Sequence, residues 1–318
     1  MTDLQSEFYH TGEARLQQQV GSRERTEQFS KVLMKDHLID QHREFYAGLE
    51  YLFVSAVDPA GTLRATMISG AKGFLNTPDT QTLRIGAISS DVLAHLGDLK
   101  PGAMIGVVGI DMSNRRRNRM HGRIASVTSD HIDIRVTQSY GNCPKYTNVR
   151  TLTQPYSHLN PAPPQTRNAL SDQNRKTVRA ADMFLIASFF DGGTGAQYDG
   201  ADMSTRSGLP GFVKVDGNTL TLPDYFGNNL FNTFGNLQLN PTAALLFIDF
   251  QTGDTTHLNG ITRLIDDPVE IAKYPKALRL LQIDVTQVRF TPQATTLRWI
   301  FHDASPHSPT PHSNQHHL

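Results

Sequence analysis

A constant offset of 138 residues relates two long stretches of the amino-acid sequence. At this offset Ser69–Phe74 (SGAKGF) aligns with Ser207–Phe212 (SGLPGF), and Val107–Asp111 aligns with Leu245–Asp249. The register holds without a gap, and apolar residues stand opposite apolar residues between the identical positions. Because sequence repeats generally fold as repeated structural units, we expect two diverged copies of one unit in this chain.

Each copy has the residue pattern of a small β-rich unit. Short apolar runs such as Tyr51–Val57 and His131–Val136 alternate with turns rich in Gly, Pro, Asp and Ser, and similar runs resume at Met183. This pattern predicts short strands that form a sheet or barrel. We expect one short helix in each copy, capped by Ser90 in the first and by Asn228 in the second.

The remaining sequence places the boundaries of these units. Spaced apolar residues in the charged stretch 13–49 predict helices that break near Gly21 and restart around Asp40. The tail has little apolar surface to bury, so we expect it to be disordered. We predict an N-terminal helical segment (1–50), a first barrel (51–155), a linker (156–178), a second barrel (179–303) and a disordered tail (304–318).

The charge balance excludes some classes of partner. Lys plus Arg and Asp plus Glu both total 30, so no global field attracts nucleic acid or an anionic membrane. The longest apolar runs are too short to span a bilayer, and the N-terminus lacks a signal pattern. We therefore expect a cytoplasmic protein without a nucleic-acid or membrane partner.

Two local features have alternative interpretations. The run Arg115–Arg119 (RRRNR) suggests polyphosphate or nucleic-acid binding in isolation, but it aligns with the turn Gln251–Thr256 of the second copy, which favours a solvated hairpin or an ion-paired interface. Cys143 is the only cysteine, so the chain has no internal disulfide and no cysteine-cluster zinc site. This residue is either an inert packing residue or a reactive thiol.

Distinctive motifs stand in both copies. The second copy reads STRSGLPGF at 204–212, LPDYFGNN at 222–229 and GNLQLNP at 235–241, and the first reads DQHREF at 40–45 and QSYGNCPKY at 138–146. Over roughly residues 10–300 the chain resembles pyridoxamine 5′-phosphate oxidase-like, flavin-binding split-barrel proteins. In that family two barrels meet about a two-fold axis and hold flavin mononucleotide (FMN) between them. The resemblance implies a mainly β fold with helices (α+β), in which two tandem split β-barrels form an intramolecular pseudo-dimer.

The second copy offers the groups that a phosphate prefers, which are guanidinium, ammonium and amide donors. We predict that it holds the FMN phosphate through Arg206, Lys214, Asn228 and Asn229. We also assign Ser207, Tyr225 and Asn232 to the cofactor-binding site, Tyr225 for its place in the Pro-Asp-Tyr turn. The first copy has Ile68 and Asp91 where the second has Arg206 and Asn229. We therefore expect one flavin per chain. An ion pair of Arg206 with Asp202 or Asp224, and plain helix capping by the asparagines, are the structural alternatives.

The polar stretch 138–146 follows a β-type run and cannot simply continue a sheet. If the first copy covers the flavin ring, the groups suited to meet ring carbonyls and nitrogens are Gln138, Ser139, Asn142 and Lys145. A purely structural turn is the alternative.

The resemblance implies an FMN-dependent oxidoreductase of unknown substrate that exchanges electrons with a small-molecule donor and acceptor. A flavin carrier or sensor without turnover and a haem- or F420-binding member of the same group are the alternatives. The neutral asparagines at the turn, with Thr296–Trp299 near the end of the chain, argue against vitamin B6 oxidation. The residues identify no catalytic group and no metal site, and we expect a homodimer of these pseudo-dimers.

Overall fold

The computed structural model of the chain describes residues 6–86, 88–97, 99–153 and 162–311. Within them, the helices are α1 (Thr11–Gln19), α2 (Arg23–Leu33), α3 (Asp40–Ala47), α4 (Ser90–Leu96), α5 (Asp172–Ala180), α6 (Asn232–Leu239) and α7 (Pro268–Ile271). The first sheet is built from β1 (Tyr51–Val57), β2 (Leu63–Ser69), β3 (Leu75–Asn76), β4 (Thr82–Gly86), β5 (Met104–Asp111), β6 (Arg116–Val127) and β7 (His131–Asn142).

The strands that follow form a second large sheet and a small one. They are β8 (Val149–Leu152), β9 (Gln165–Arg167), β10 (Met183–Phe190), β11 (Gly200–Ser207), β12 (Lys214–Asp216), β13 (Thr219–Asp224), β14 (Thr242–Ile248), β15 (Thr255–Ile265), β16 (Arg279–Thr291) and β17 (Trp299–Asp303). β8 pairs with β17, and β9 pairs with β16 beside the main path of the second sheet.

Both large sheets have the same strand order. The first runs β2-β1-β5-β6-β7-β4-β3, and the second runs β11-β10-β14-β15-β16-β13-β12. The two orders are identical when β1 corresponds to β10, β2 to β11 and so on up to β7 and β16. The strand pairs β1 with β2 and β15 with β16 are antiparallel. The predicted mainly β fold with helices is thus confirmed.

The N-terminal helices begin and end close to the predicted places. α1 ends at Gln19, Gly21 takes a left-handed conformation (φ 66°) that only glycine adopts easily, and α3 begins at Asp40. α1 starts with a capping box in which the His10 side chain accepts from the backbone and Glu13 reaches back to the His10 N–H.

The two short helices begin at other residues than predicted. Ser89, and not Ser90, caps α4, since its side chain accepts from the Val92 N–H. α6 begins at Asn232, four residues after Asn228, because Asn229 and Phe231 take left-handed conformations (φ 58° and 61°) that no helix can include. The prediction that Asn228 caps this helix is therefore wrong.

The segment predicted as a linker contains regular structure, and the described part of the predicted tail contacts the rest of the chain. β9 and most of α5 lie within 156–178, and α5 begins with a capping box between Ser171 and Asn174. Ser305 is buried and its N–H donates to Asn148 Oδ1 at 2.9 Å, so ordered contacts extend past residue 304. Residues 154–161 and 312–318, which complete the predicted linker and tail, lie outside the described residues.

The chain divides into two compact units. Unit 1 comprises Met1–Pro144, Leu185–Ser204 and Asn228–Leu245, and unit 2 comprises Lys145–Phe184, Thr205–Gly227 and Leu246–Leu318. In unit 1 the core lies on one face of the first sheet, with α3 packed against it, and includes Leu52, Val54, Ile105, Val107 and Ile134. No helix in the described part of the chain is long and apolar enough to cross a membrane.

Candidate functional site

The polar turn at the end of β7 contacts the loop that precedes α6, and both belong to unit 1. Asn228 Nδ2 donates to Asn142 Oδ1 at 3.2 Å, and the Tyr140 hydroxyl donates to Asn232 Oδ1 at 3.1 Å. Asn228 is exposed and Asn142 half-buried, whereas Tyr140 and Asn232 are buried. Residues predicted from the first and second copies are thus brought together, with an amide pair at the surface.

Unit 2 contains a small aromatic surface next to an ammonium group. The Tyr146 hydroxyl donates to the Phe226 carbonyl at 2.9 Å, and Lys145 Nζ lies 3.5 Å from the same oxygen. The rings of Tyr146 and Tyr225 are 5.6 Å apart, and Phe226 is 58% exposed. Burial raises the pKa of Tyr225 to about 12, still further above neutral pH than the ordinary tyrosine value. Its phenol therefore keeps its proton and can donate a hydrogen bond. The predicted residues Lys145 and Tyr225 therefore border one surface.

Gln138 and Ser139 do not face an open cleft, because the N-terminal segment covers them. Gln138 Nε2 donates to the Phe8 carbonyl at 3.2 Å, and Ser139 Oγ lies 2.8 Å from His42 Nδ1. Gln138 Oε1 is buried without a partner among the described residues. Burial, with Arg116 and His37 nearby, lowers the pKa of His42 to about 4, so this imidazole is neutral. Both side chains thus contact groups of the chain itself, and their contact with a flavin stays a prediction.

Arg206, Ser207 and Lys214 lie in unit 2, at the end of β11 and the start of β12. Ser207 is buried and the two cations are half-buried. Burial raises the pKa of Asp224 to about 6, while Arg206 and Arg279 act in the opposite direction. The ion-pair partner of Asp224 is Arg279, whose Nε lies 3.2 Å from Asp224 Oδ2, while Arg206 acts on this carboxyl through its charge.

A buried polar cluster in unit 1 has no counterpart in the sequence predictions. We call Glu13, Arg119, His121, Asp202 and Asn232 the polar cluster. Arg119 pairs with Asp202 through Nη2, and His121 Nε2 lies 3.2 Å from Asp202 Oδ1. Burial lowers the pKa of Arg119 and lowers that of His121 to about 3, so this histidine is neutral. Arg119 is the last residue of the basic run 115–119, and nothing in the pattern of this run indicates that its side chain is buried.

Helix α1 delivers Glu13 into the polar cluster by packing closely on α6. A Cβ atom at Gly12 would lie 2.3 Å from the Gly235 carbonyl oxygen, so the close approach requires glycine. Glu13 accepts from the His10 N–H at 3.0 Å and from Asn232 Nδ2 at 2.6 Å. The predicted ligand residue Asn232 is therefore bonded to a carboxyl group of the chain itself.

The Glu13 carboxyl should make stability depend on pH. Burial raises its pKa from 4.5 to about 8, so the folded chain holds a proton that the unfolded chain loses above its own lower pKa. The free energy of unfolding should therefore fall as pH rises from 7 to 8, by up to about 1.4 kcal/mol per unit from this group. Urea titrations of the wild type and Glu13→Gln check this, and the variant should show a smaller fall. Equal slopes would contradict the raised pKa.

A basic cleft of about 540 Å³ lies in unit 1 beside the turn that follows β7. Its wall includes the exposed side chains of Phe29 and Val32, and its polar lining includes Lys35, His42, Arg116, Arg117 and Asn142. The hairpin predicted at the basic run is present beside this cleft, because β5 and β6 pair on either side of the turn between Asp111 and Arg116. Arg116 Nη2 donates to the Gln41 carbonyl at 3.0 Å, and Arg117 donates to the carbonyl of the exposed Cys143.

No protein-family model matches the sequence, and no curated protein matches it. Solved structures similar to parts of the chain include a proposed pyridoxamine 5′-phosphate oxidase from Lactobacillus delbrueckii (14% identity, TM-score 0.29, covering 38% of this chain and 94% of that one). Another is an FAD-binding protein from Mesorhizobium loti (13% identity, TM-score 0.27, covering 40% of this chain and 97% of that one). A third is an F420 reductase (12% identity, TM-score 0.26, covering 38% of this chain and 98% of that one).

Proposed function

We propose that this chain binds one FMN and acts as an FMN-dependent oxidoreductase. The observation that carries the proposal is the contact of the Tyr146 hydroxyl with the Phe226 carbonyl beside Lys145 in unit 2, the unit that also contains Arg206, Ser207 and Lys214. Tyr146 and Phe226 stand in motifs that resemble those of flavin-binding proteins. Aromatic rings beside an ammonium group can stack on a flavin and orient it.

The phosphate is assigned to Arg206, Ser207 and Lys214. A guanidinium, a hydroxyl and an ammonium group supply the charge and donors that a phosphate dianion requires. The corresponding first-copy position Ile68 is a buried core residue, and Asp91 is exposed and would repel a phosphate. This difference between the copies supports a single flavin per chain.

The ring is assigned to the aromatic surface of Tyr146, Tyr225 and Phe226, with Lys145 beside it. Aromatic faces stack on a planar ring, and an ammonium group near the ring favours its reduced, anionic form. Bound FMN would supply hydride and electron transfer, while these side chains orient it and limit its access to water. In this proposal Gln138, Ser139 and Asn232 also position the neighbouring segments.

The flavin content of the purified protein tests the proposal. We expect a yellow protein that releases one FMN per chain on denaturation, identified by chromatography against FMN, FAD and riboflavin standards. Protein that stays colourless and fails to bind added FMN would contradict the proposal.

A flavin carrier or sensor without turnover is distinguished by the same preparation. Under anaerobic conditions, addition of NADH or NADPH should bleach the flavin absorbance of an oxidoreductase, and air should restore it. The proposal retains the cytoplasmic location, the small-molecule electron donor and acceptor, and the homodimer expected from the sequence.

A further inference from the structure

A second cavity, of about 520 Å³, lies entirely within unit 2. It is an open cleft bordered by β8, β17, the end of α5 and the turn after β14, and its volume is in the range that holds small organic ligands. Its walls include the aromatic side chains of Phe250, Trp299 and Phe301. None of the residues assigned to FMN lines it.

The cavity has one buried ion pair in its lining. Arg150 Nη2 donates to Asp182 Oδ2 at 2.5 Å, and Asn148 Nδ2 donates to the same oxygen at 2.8 Å. The side chain of Arg150 is only 6% exposed, and its Nη1 has no hydrogen-bond partner among the described residues. A buried donor without an acceptor is costly, so an acceptor supplied by a ligand would be favourable.

Asp182 adds an acceptor next to this donor. Both hydrogen bonds described for its side chain go to Oδ2, and the side chain is 13% exposed. A guanidinium N–H beside a carboxylate oxygen complements a lactam edge, in which a carbonyl stands next to an N–H group. Arg150 and Asp182 offset each other's charge, and the Asp249 carboxylate, which accepts from the Gln251 and Thr252 N–H groups, leaves the lining with one net negative charge. The site therefore disfavours anions and accepts a neutral ligand.

The aromatic walls select for a planar ligand. The Arg150 guanidinium lies over the ring of Phe250 at 4.3 Å and near that of Phe301 at 5.2 Å. The rings of Phe250 and Trp299 are 5.2 Å apart at an interplanar angle of 80°. Such surfaces gain most from flat aromatic ligands, which stack on or meet the rings edge-on.

We propose that this cavity binds a neutral, planar heterocycle with a lactam edge, of the pteridinedione or pyrimidinedione class, at a site separate from the proposed FMN site. The carbonyl of the ligand accepts from Arg150 and its N–H donates to Asp182. The proposal does not depend on FMN binding.

Lumazine, a pteridinedione without phosphate, is the probe, and quinoxaline, a two-ring heterocycle without a lactam edge, is the comparison. Equilibrium dialysis should show lumazine binding at least about tenfold tighter than quinoxaline. Trp299 is the only tryptophan, so its emission should be quenched on binding. Equal binding of the two probes would overturn the proposal.

Two substitutions of alanine by phenylalanine locate the site without changing a residue of the ion pair. Ala180 lines the cavity at the exposed end of α5, and Ala272 is exposed elsewhere in unit 2. Ala180→Phe should weaken lumazine binding at least about tenfold, whereas Ala272→Phe should leave it unchanged. If Ala180→Phe binds lumazine like the wild type, the assignment is wrong.

Asp182→Asn and prior saturation with FMN complete the test. Asp182→Asn presents an amide to the ligand and should reduce the preference for lumazine over quinoxaline, with folding checked by thermal unfolding. Protein saturated with FMN should bind lumazine as the FMN-free protein does. Loss of lumazine binding on FMN saturation would overturn the claim of a separate site, while failure of FMN to bind would leave the lumazine result intact.

Discussion

Asp202→Ala should lower the free energy of unfolding by about 3–5 kcal/mol, because it leaves the buried Arg119 without its counter-charge. Asp202 is fully buried, and its other oxygen accepts from the Thr233 hydroxyl at 3.0 Å. His121 loses its contact with the carboxylate in the same variant. Urea-induced unfolding followed by far-ultraviolet circular dichroism measures the loss.

Asp172→Ala is the matched control, because it removes an aspartate that pairs with Arg175 at the surface, where its own side chain is 93% exposed. Screened surface pairs contribute little, so this variant should lose less than about 1 kcal/mol. The double variant Arg119→Met with Asp202→Leu removes both charges and should be more stable than Asp202→Ala. Similar losses in Asp202→Ala and Asp172→Ala would show that the polar cluster is not a buried, low-dielectric site.

Arg206→Ala should weaken FMN binding by about 10- to 100-fold and leave riboflavin binding unchanged. The loss corresponds to one or two charge-assisted hydrogen bonds to the phosphate, which riboflavin lacks. Fluorescence titration of both flavins against wild type and variant measures the effect. Thermal unfolding of the flavin-free proteins checks that removal of a cation near Asp224 has not unfolded the chain.

Arg263→Ala is the matched control for Arg206→Ala. Arg263 is exposed on β15 of unit 2 and donates to Gln282 Oε1 at 2.6 Å. Its loss removes the same charge from the chain and should leave the affinities for both flavins unchanged. If Arg206→Ala weakens FMN and riboflavin equally, Arg206 does not bind the phosphate.

The sequence predicted the architecture well where the pattern is local or repeated. The 138-residue offset led to the expectation of two like units, and the two large sheets have one strand order. Gly21 marked a break between helices because a positive φ is easily adopted only by glycine. Asn228 misled because asparagine favours both caps and left-handed turns, and here the turn extends to Phe231.

The candidate site was predicted only in part, because long-range packing decides which side chains remain accessible. Asn142 and Asn228 pair across 86 residues of sequence, and each stands in a distinctive motif of its copy. No local pattern indicates that Phe8 and His42 cover Gln138 and Ser139, or that α1 places Glu13 on Asn232. Arg119 differs from the other arginines of the basic run because its side chain is buried on β6.

Hydrogen exchange with and without saturating FMN tests the proposed flavin site most directly. Mass spectrometry of peptides from the exchanged protein reports where the amide N–H groups become protected. The account predicts protection in 138–146 and in 204–232, with little change in the connection between β15 and β16, which contains α7. FMN binding that protects neither segment, or that protects other regions only, would contradict the proposed site.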